Sequence, residues 1–569
     1  MSRKFRWRFR IFSLVLLLAS LIVLIKPYLG NKFPYTHDGE NHLARFANYK
    51  IALREGQFPP RFAPNLLNHY GYPVFNYNYP LANILSLPFS FLKFNYELTF
   101  KIIAVSSILF GLLGLRKWLI LLKVESKALL NLAMSAYLIS PYLVNLVYVR
   151  GNIGELLAMN LFVWLGVLVE KIVQKKWQQK EFFLFSLITA SFLLSHNITA
   201  VFGTGLILVY ALLRFKFNKK YWLKLFKLFT WGIGLSLWFW LPALLEKNLI
   251  VLDNDDLTLG FSQHFIRIGQ LLFSSLSFGF SKISPVDSLS FAIGKHQLII
   301  LLLSIVFLPT LLSKPTLLSK PALLSKKVKS KRQSALVMIA ISLLLFVFQL
   351  GFTQSIWQAL PLVHYIQFPW RLSLFLSIFL TLLTGIWLTY FAKNLFFKII
   401  VISMLILQII SVRRFQPADF FHKTNIDYDA FTQSTSTKNE NRTKNFTYEN
   451  IADWQPTAQI LQGEGDVKIG TWNGSQRNYS LELKKESIIT EPTMNFAGWQ
   501  TYANNKKISY INNSEVAGRI AYRLPAGTYE VESKFTQKTW PRIIGNSVSL
   551  VALLLLVMSK KCSLTKKAS

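Results

Sequence analysis

The stretch Tyr35-Thr36-His37-Asp38-Gly39-Glu40-Asn41-His42-Leu43-Ala44-Arg45 gathers carboxylates, imidazoles and a guanidinium into a short run of chain. A helix beginning near Asp38 places Asp38, His42 and Arg45 on one face, at i, i+4 and i+7. A carboxylate held beside cations at a membrane surface can bind a divalent metal or take a proton from a sugar hydroxyl, while the cations hold a phosphate. The same residues also suit an N-capping aspartate with solvated neighbours. The local pattern leaves both readings open.

Further along lie Gly56-Gln57-Phe58-Pro59-Pro60-Arg61-Phe62 and Tyr70-Gly71-Tyr72-Pro73-Val74-Phe75-Asn76-Tyr77-Asn78-Tyr79-Pro80. Rings such as Tyr72 and Tyr77, set among asparagines and proline turns, offer flat apolar faces with hydrogen bonds. A sugar or a polyprenyl chain needs both, and an interfacial aromatic belt uses the same rings. Shorter motifs follow at expected helix ends: Arg150-Gly151-Asn152-Ile153-Gly154-Glu155, Ser195-His196-Asn197, Phe239-Trp240-Leu241-Pro242-Ala243-Leu244-Leu245-Glu246-Lys247 and His364-Tyr365-Ile366-Gln367-Phe368-Pro369-Trp370-Arg371. Helix ends tolerate snorkelling charges, so each motif alone says little. Together they place Arg150, Glu155, His196 and Arg371 at the depth of Asp38, where lipid-exposed charge is costly and a polar cavity is not. His264 and His296 read as ordinary loop residues.

The elements that must position these groups are membrane spans. Of 569 residues 52% are hydrophobic, in long blocks separated by short basic connectors, which is a membrane composition. Lys and Arg number 63 against 27 Asp and Glu. That excess sits in loops between spans, so the positive-inside bias explains it and no nucleic-acid partner is implied. Spans of about 20 residues are expected near 11–30, 98–115, 128–148, 153–172, 182–196, 198–213, 222–244, 296–312, 334–352, 370–392, 396–412 and 543–558. The first follows a basic start and reads as an uncleaved signal anchor.

Pro80 to Leu92 is short for a crossing. Leaving it out puts every basic connector on one side and gives a plasma-membrane protein of twelve spans with both termini cytoplasmic. The connector at 309–326 repeats PTLLSK-PTLLSK-PALLSK, a spacer broken by prolines. Cys562, the only cysteine, lies in the last basic tail, so the outer part folds without disulfides.

Residues 1–412 form the transmembrane domain, with the first outer loop at 31–97. Residues 413–541 change character: Tyr479–Lys484 and Arg519–Leu524 alternate in period two, with a Pro-Ala-Gly turn at 525–527, which predicts an extracytoplasmic β-sandwich. Residues 542–569 supply the last span and tail.

The order HDGENHLAR, GQFPPRF, GYPVFNYNYPL, RGNIGE, SHN, FWLPALLEK and IQFPWR, closing with FAGWQ and LPAGTYEV, resembles the bacterial 6-pyruvoyl-tetrahydropterin synthase-related membrane proteins. Nothing in it resembles the soluble pterin enzyme. More widely the chain resembles the GT-C superfamily of polyprenyl-phosphate-sugar glycosyltransferases, and that resemblance covers nearly the whole chain. It implies a site centred on Asp38, as base or as the ligand of a divalent cation (magnesium or manganese), with Glu40 as the second acidic position. His37, His42, Arg45, Arg61, Tyr72, Tyr77, Arg150, Glu155, His196, Asn197, Gln367 and Arg371 are the expected substrate-binding residues. The expected reaction moves a sugar from a polyprenyl-phosphate carrier in the bilayer to a glycan, lipid or protein acceptor of the cell envelope. A lipid or polysaccharide transporter and a non-catalytic envelope assembly protein are the rival readings.

Overall fold

The computed structural model describes residues 3–253, 259–282, 288–313, 326–359, 367–436, 438–447, 454–512 and 514–565. Most of the PTLLSK repeat and the residues His364 and Tyr365 lie outside them.

Each of the expected spans contains helix. Eight of the described helices are long and apolar enough to cross a bilayer, among them Tyr96–Leu121, Ile153–Val173 and Leu395–Arg414. Lys127–Leu138 and Pro141–Arg150 make a ninth crossing if counted as one span bent by 48°. Phe182–Leu193 and Lys295–Val306 have 12 residues each, a rise of roughly 18 Å against a hydrocarbon core of about 30 Å. Length and composition therefore support eight or nine full crossings, and the count of twelve remains an expectation of the sequence. Pro80 to Leu92 folds as the 11-residue helix Leu81–Phe91, packed beside Gly39–Arg54 and Tyr96–Leu121.

The bend has a local cause. Pro141 has no N–H to donate into the preceding turn, so the helix restarts at Ser140. The restarted segment ends in a π-turn, Leu146–Arg150, closed by Gly151 at φ +61°. Asn152 then starts Ile153–Val173, its side chain accepting from the Glu155 N–H. Arg150 and Glu155 are thereby held at one end of the bundle.

The C-terminal strands form two antiparallel sheets. The larger has the order Gly465–Trp472, Gln476–Leu483, Gly527–Phe535, Trp499–Ala503, Lys506–Lys507, and the smaller has Gln459–Gln462, Ser487–Met494, Arg519–Leu524. Period two appears as burial: Tyr479, Leu481 and Leu483 point inward and meet Ile489, Tyr522 and Leu524 of the other sheet. Glu491 is fully buried between them and is satisfied by Arg477 at 2.8 Å and Tyr479 at 2.9 Å.

Among the described residues of 416–447 none adds a strand to either sheet. They run over the first outer loop, with Phe421 pairing with Phe33 and Asp429 meeting Lys50 at 3.5 Å. Beneath the sandwich, Glu246 accepts two hydrogen bonds from Arg542 and one from Asn76, tying the last helix to the first loop.

Candidate functional site

The site is assembled where the first outer loop meets the broken span. His37 and Asp38 donate their backbone N–H groups to the carbonyls of Val149 and Arg150 at 2.9 and 2.8 Å. Close approach needs small residues here. A Cβ on Gly151 would lie 2.1 Å from Thr36 Oγ1, and one on Gly39 would lie 2.4 Å from the same atom.

Asp38 occupies the N-cap position of Gly39–Arg54, yet its carboxylate makes no capping bond. Instead Oδ2 accepts from Asn152 Nδ2 at 3.0 Å. The half-buried carboxylate is turned away from its own helix and toward the RGNIGE motif.

Behind Asp38 lies a buried charge cluster. Arg150 Nη1 is 2.6 Å from Glu155 Oε2, the Tyr142 hydroxyl donates to Glu155 Oε1, and the Arg150 guanidinium lies 5.0 Å over the Trp370 ring. Arg371 is buried, within electrostatic reach of Glu155, Arg150 and Asp38. Its Nε and Nη1 have no hydrogen-bond partner. A buried, unpaired guanidinium is costly unless something anionic meets it.

Tyr79 closes one wall, its hydroxyl donating to Asn152 Oδ1 at 3.2 Å and its ring 4.8 Å from that of His196. His196 caps its helix through the Thr199 N–H, and Asn197 donates to the Tyr77 carbonyl at 2.8 Å. His42 points to the same wall, 5.9 Å from the Tyr79 ring, with Nε2 unpartnered. Burial, with Arg45 and His196 nearby, pulls His42 well below the usual imidazole range. His37 stacks on Phe280 at 4.3 Å; burial lowers it to about 4, with Arg150 adding to the fall and Asp38 opposing it.

The remaining expected residues lie elsewhere. Glu40 pairs with Lys423, and Arg45 donates to Thr435 Oγ1 and O at 3.1 and 2.5 Å. Arg61 is buried at the foot of the last helix, donating to the Trp238 carbonyl and to Asn546. The Tyr72 hydroxyl meets Ser436, and that of Tyr77 donates to the Glu246 carbonyl. Gln367 is exposed. His296 is not a loop residue: it lies in the first turn of Lys295–Val306, buried, with Nε2 3.1 Å from the Ala136 carbonyl.

Beside the helix Leu81–Phe91 an apolar groove of about 520 Å³ opens. Leu81, Leu85 and Phe89 form one side, Ile103 and Phe110 a second, and Leu157 and Leu161 a third. The helix that carries Glu155 at its start therefore lines the groove two residues later. Glu155 and Leu157 lie about 200° apart around that helix, so one helix serves the charge cluster and the groove from different faces.

Among the described residues no group of three or more His, Cys, Asp or Glu comes together. Asp38 is joined by an amide, with Arg150 and Arg371 nearby in place of a second carboxylate. Those neighbours suit an anion held by guanidiniums. They fit a divalent cation poorly, and no step below is routed through one.

A family model described as "6-pyruvoyl-tetrahydropterin synthase related domain; membrane protein" matches residues 75–416, more than half of the chain. The chain belongs to this family. It is a membrane protein. The matched region holds the groove, Arg150, Glu155, His196 and Arg371, and begins after Asp38. A curated relative, an uncharacterized protein of Lactococcus lactis subsp. cremoris (strain MG1363), is 27% identical over 275 residues, which is 46% of this chain and 44% of that protein. The chain thus matches less than half the length of this relative.

Two solved structures are similar in part. The mycobacterial arabinofuranosyltransferase AftD is 14% identical, with a TM-score of 0.41 over 73% of this chain and 26% of that one. The Archaeoglobus fulgidus oligosaccharyltransferase is 11% identical, with a TM-score of 0.33 over 78% of this chain and 57% of that one.

Tyr142, Asn152 and Tyr79 stand in the candidate site and were not among the residues expected from sequence. Asn152 and Tyr79 sit inside quoted motifs. Tyr142 could have been found from Pro141, which interrupts an otherwise continuous apolar span, and breaks of that kind and π-turns gather at functional sites.

Proposed function

We propose that this protein is a membrane glycosyltransferase, moving a sugar from a polyprenyl-phosphate carrier to an envelope acceptor on the face opposite its basic connectors. The observation that carries the reading is that Arg371, buried with Nε and Nη1 unpartnered, lies within electrostatic reach of Asp38 and Glu155, while the helix that begins beside Glu155 lines an apolar groove through Leu157 and Leu161. A lipid phosphate has that dual character. Its tail lies along Leu81–Phe91, and its phosphate reaches Arg371 and the N-terminal end of Ile153–Val173, where the helix dipole favours negative charge.

Asp38 then faces the acceptor. Its Oδ2 is held by Asn152 and Oδ1 is left to take the proton of an acceptor hydroxyl. The hydroxyl oxygen attacks the anomeric carbon, the carbon–oxygen bond to phosphate breaks, and the electron pair leaves on the phosphate oxygen. Arg371 meets that developing charge, while Glu155 keeps Arg150 fixed and partly neutralised. Attack from the face opposite the phosphate inverts the anomeric centre.

The test is to offer purified protein a panel of polyprenyl-phosphate sugars with envelope glycans as acceptors. The reading expects one donor to be consumed with release of polyprenyl phosphate. Binding and consumption of none would remove it, and movement of intact lipid across a vesicle without sugar transfer would favour a transporter.

A further inference from the structure

At the other end of the first helix lies a second groove of about 360 Å³, lined by Arg6, Phe9, Arg10, Ser126, Lys127 and Lys398 among others. Among the described residues no carboxylate lines it.

Three separate segments meet there, each at the start of a helix: Arg3–Ile25, Lys127–Leu138 and Leu395–Arg414. Their N-terminal dipole ends add positive potential to that of the four cations. The Ser126 hydroxyl, at the N-cap of the second helix, makes no capping bond. Lys398 supplies an independent observation. It is only 5% exposed and lines the groove; among the described residues its ammonium forms no hydrogen bond or ion pair and lies over the Phe9 ring, 5.8 Å from the centroid.

The stem of Lys398 is buried while its charge belongs to the groove lining among three other cations, and like charges gathered in one groove are stabilised by an anion between them. The positive-inside bias accounts for basic connectors as a class, but it does not account for four cations from three separate segments lining one groove. Phe9, Ala128 and Leu129 line the same groove, so its floor is apolar where its rim is basic. Basic pockets between helices at a membrane surface take anionic lipid head groups.

We propose that this groove is a binding site for the phosphate of an anionic phospholipid, with the phosphate between Lys398, Arg6, Arg10 and Lys127 and the acyl chains along the first helix. It is remote from Asp38 and independent of the transferase reading: the first helix runs 23 residues, roughly 34 Å, before the chain reaches the loop carrying Asp38.

The test is native mass spectrometry of the full-length protein in detergent, titrated with short-chain phosphatidylglycerol, short-chain phosphatidylcholine and inorganic phosphate. Phosphatidylglycerol is expected to bind, and the other two are not at the same concentrations. The triple substitution R6Q/R10Q/K127Q removes exposed side chains and is expected to weaken that binding on the order of a hundredfold, at about fivefold per charge, with an unchanged thermal midpoint. K398M is expected to weaken it as well. Equal binding of phosphatidylcholine or free phosphate, or undiminished binding by the triple variant, would overturn the proposal.

Discussion

Substituting Gly151 with alanine tests whether the first outer loop and the broken span must touch. Gly151 has φ +61°, and a left-handed conformation costs an alanine roughly 1–2 kcal/mol. The new Cβ would lie 2.1 Å from Thr36 Oγ1, 2.7 Å from Thr36 Cβ and 3.1 Å from the Gly39 nitrogen. Thr36 cannot swing aside freely, because its hydroxyl accepts from the Gly39 N–H at 3.2 Å. Relief therefore requires a shift of about 1 Å in the segment from Thr36 to Asp38, with overpacking adding roughly 1–3 kcal/mol.

The sum is a destabilisation of about 2–5 kcal/mol, concentrated where Asp38 hangs on Arg150. A displacement of this size at a reacting group costs about a hundredfold in rate. The assay is donor consumption at saturating acceptor, read beside the thermal midpoint in detergent. G205A is the control: Gly205 is helical with open space around its Cβ position, so alanine there should raise stability by about 0.5–1 kcal/mol. If G151A keeps both the midpoint and the rate of the unsubstituted protein, the close approach does not hold the site.

Glu155→Gln leaves Arg150 buried without its counter-charge and should cost about 3–5 kcal/mol, seen as a lower thermal midpoint; an unchanged midpoint contradicts the buried pair. Arg371→Gln should leave folding intact, since Nε and Nη1 bond nothing in the protein, yet raise the donor KM roughly tenfold or more; an unaltered KM removes Arg371 from the donor site. His37 is held below its ordinary value, at about 4, so its protonated form favours the unfolded loop. Its contribution is complete above pH 6.5 and is lost as pH falls through about 4, and H37F should flatten that part of the stability profile. In intact cells an impermeant maleimide should label Y35C and spare K219C; the reverse pattern would invert the proposed orientation.

Much of this arrangement was legible because it rests on period and charge. Apolar runs located a helix at every expected span, and alternation at Tyr479–Leu483 and Arg519–Leu524 located two strands. Depth placed Arg150, Glu155, His196 and Arg371 with Asp38, because helix ends fix the height of a side chain.

Azimuth and long-range partners are not encoded in that way. Nothing local to Glu40 or Arg45 indicates that Lys423 and Thr435, almost 400 residues away, would occupy them. Arg61 sits among proline and aromatic residues that read as a ligand surface, yet its partners are Trp238, Gln537 and Asn546. Span number was obscured for a different reason: hydropathy locates apolar helices but does not separate a 12-residue packed helix from a crossing. Tyr142 was hidden by the assumption that an apolar run is one straight helix.

The most direct measurement compares D38N with the unsubstituted protein for sugar transfer from polyprenyl phosphate and, separately, for binding of polyprenyl phosphate alone. The substitution keeps the shape of the side chain and a hydrogen-bond acceptor for Asn152 while removing the base. Transfer should fall by about 10²–10⁴-fold with lipid-phosphate binding nearly unchanged, since the phosphate is held by Arg371 and not by Asp38. Transfer at the original rate by D38N would contradict the account at its centre.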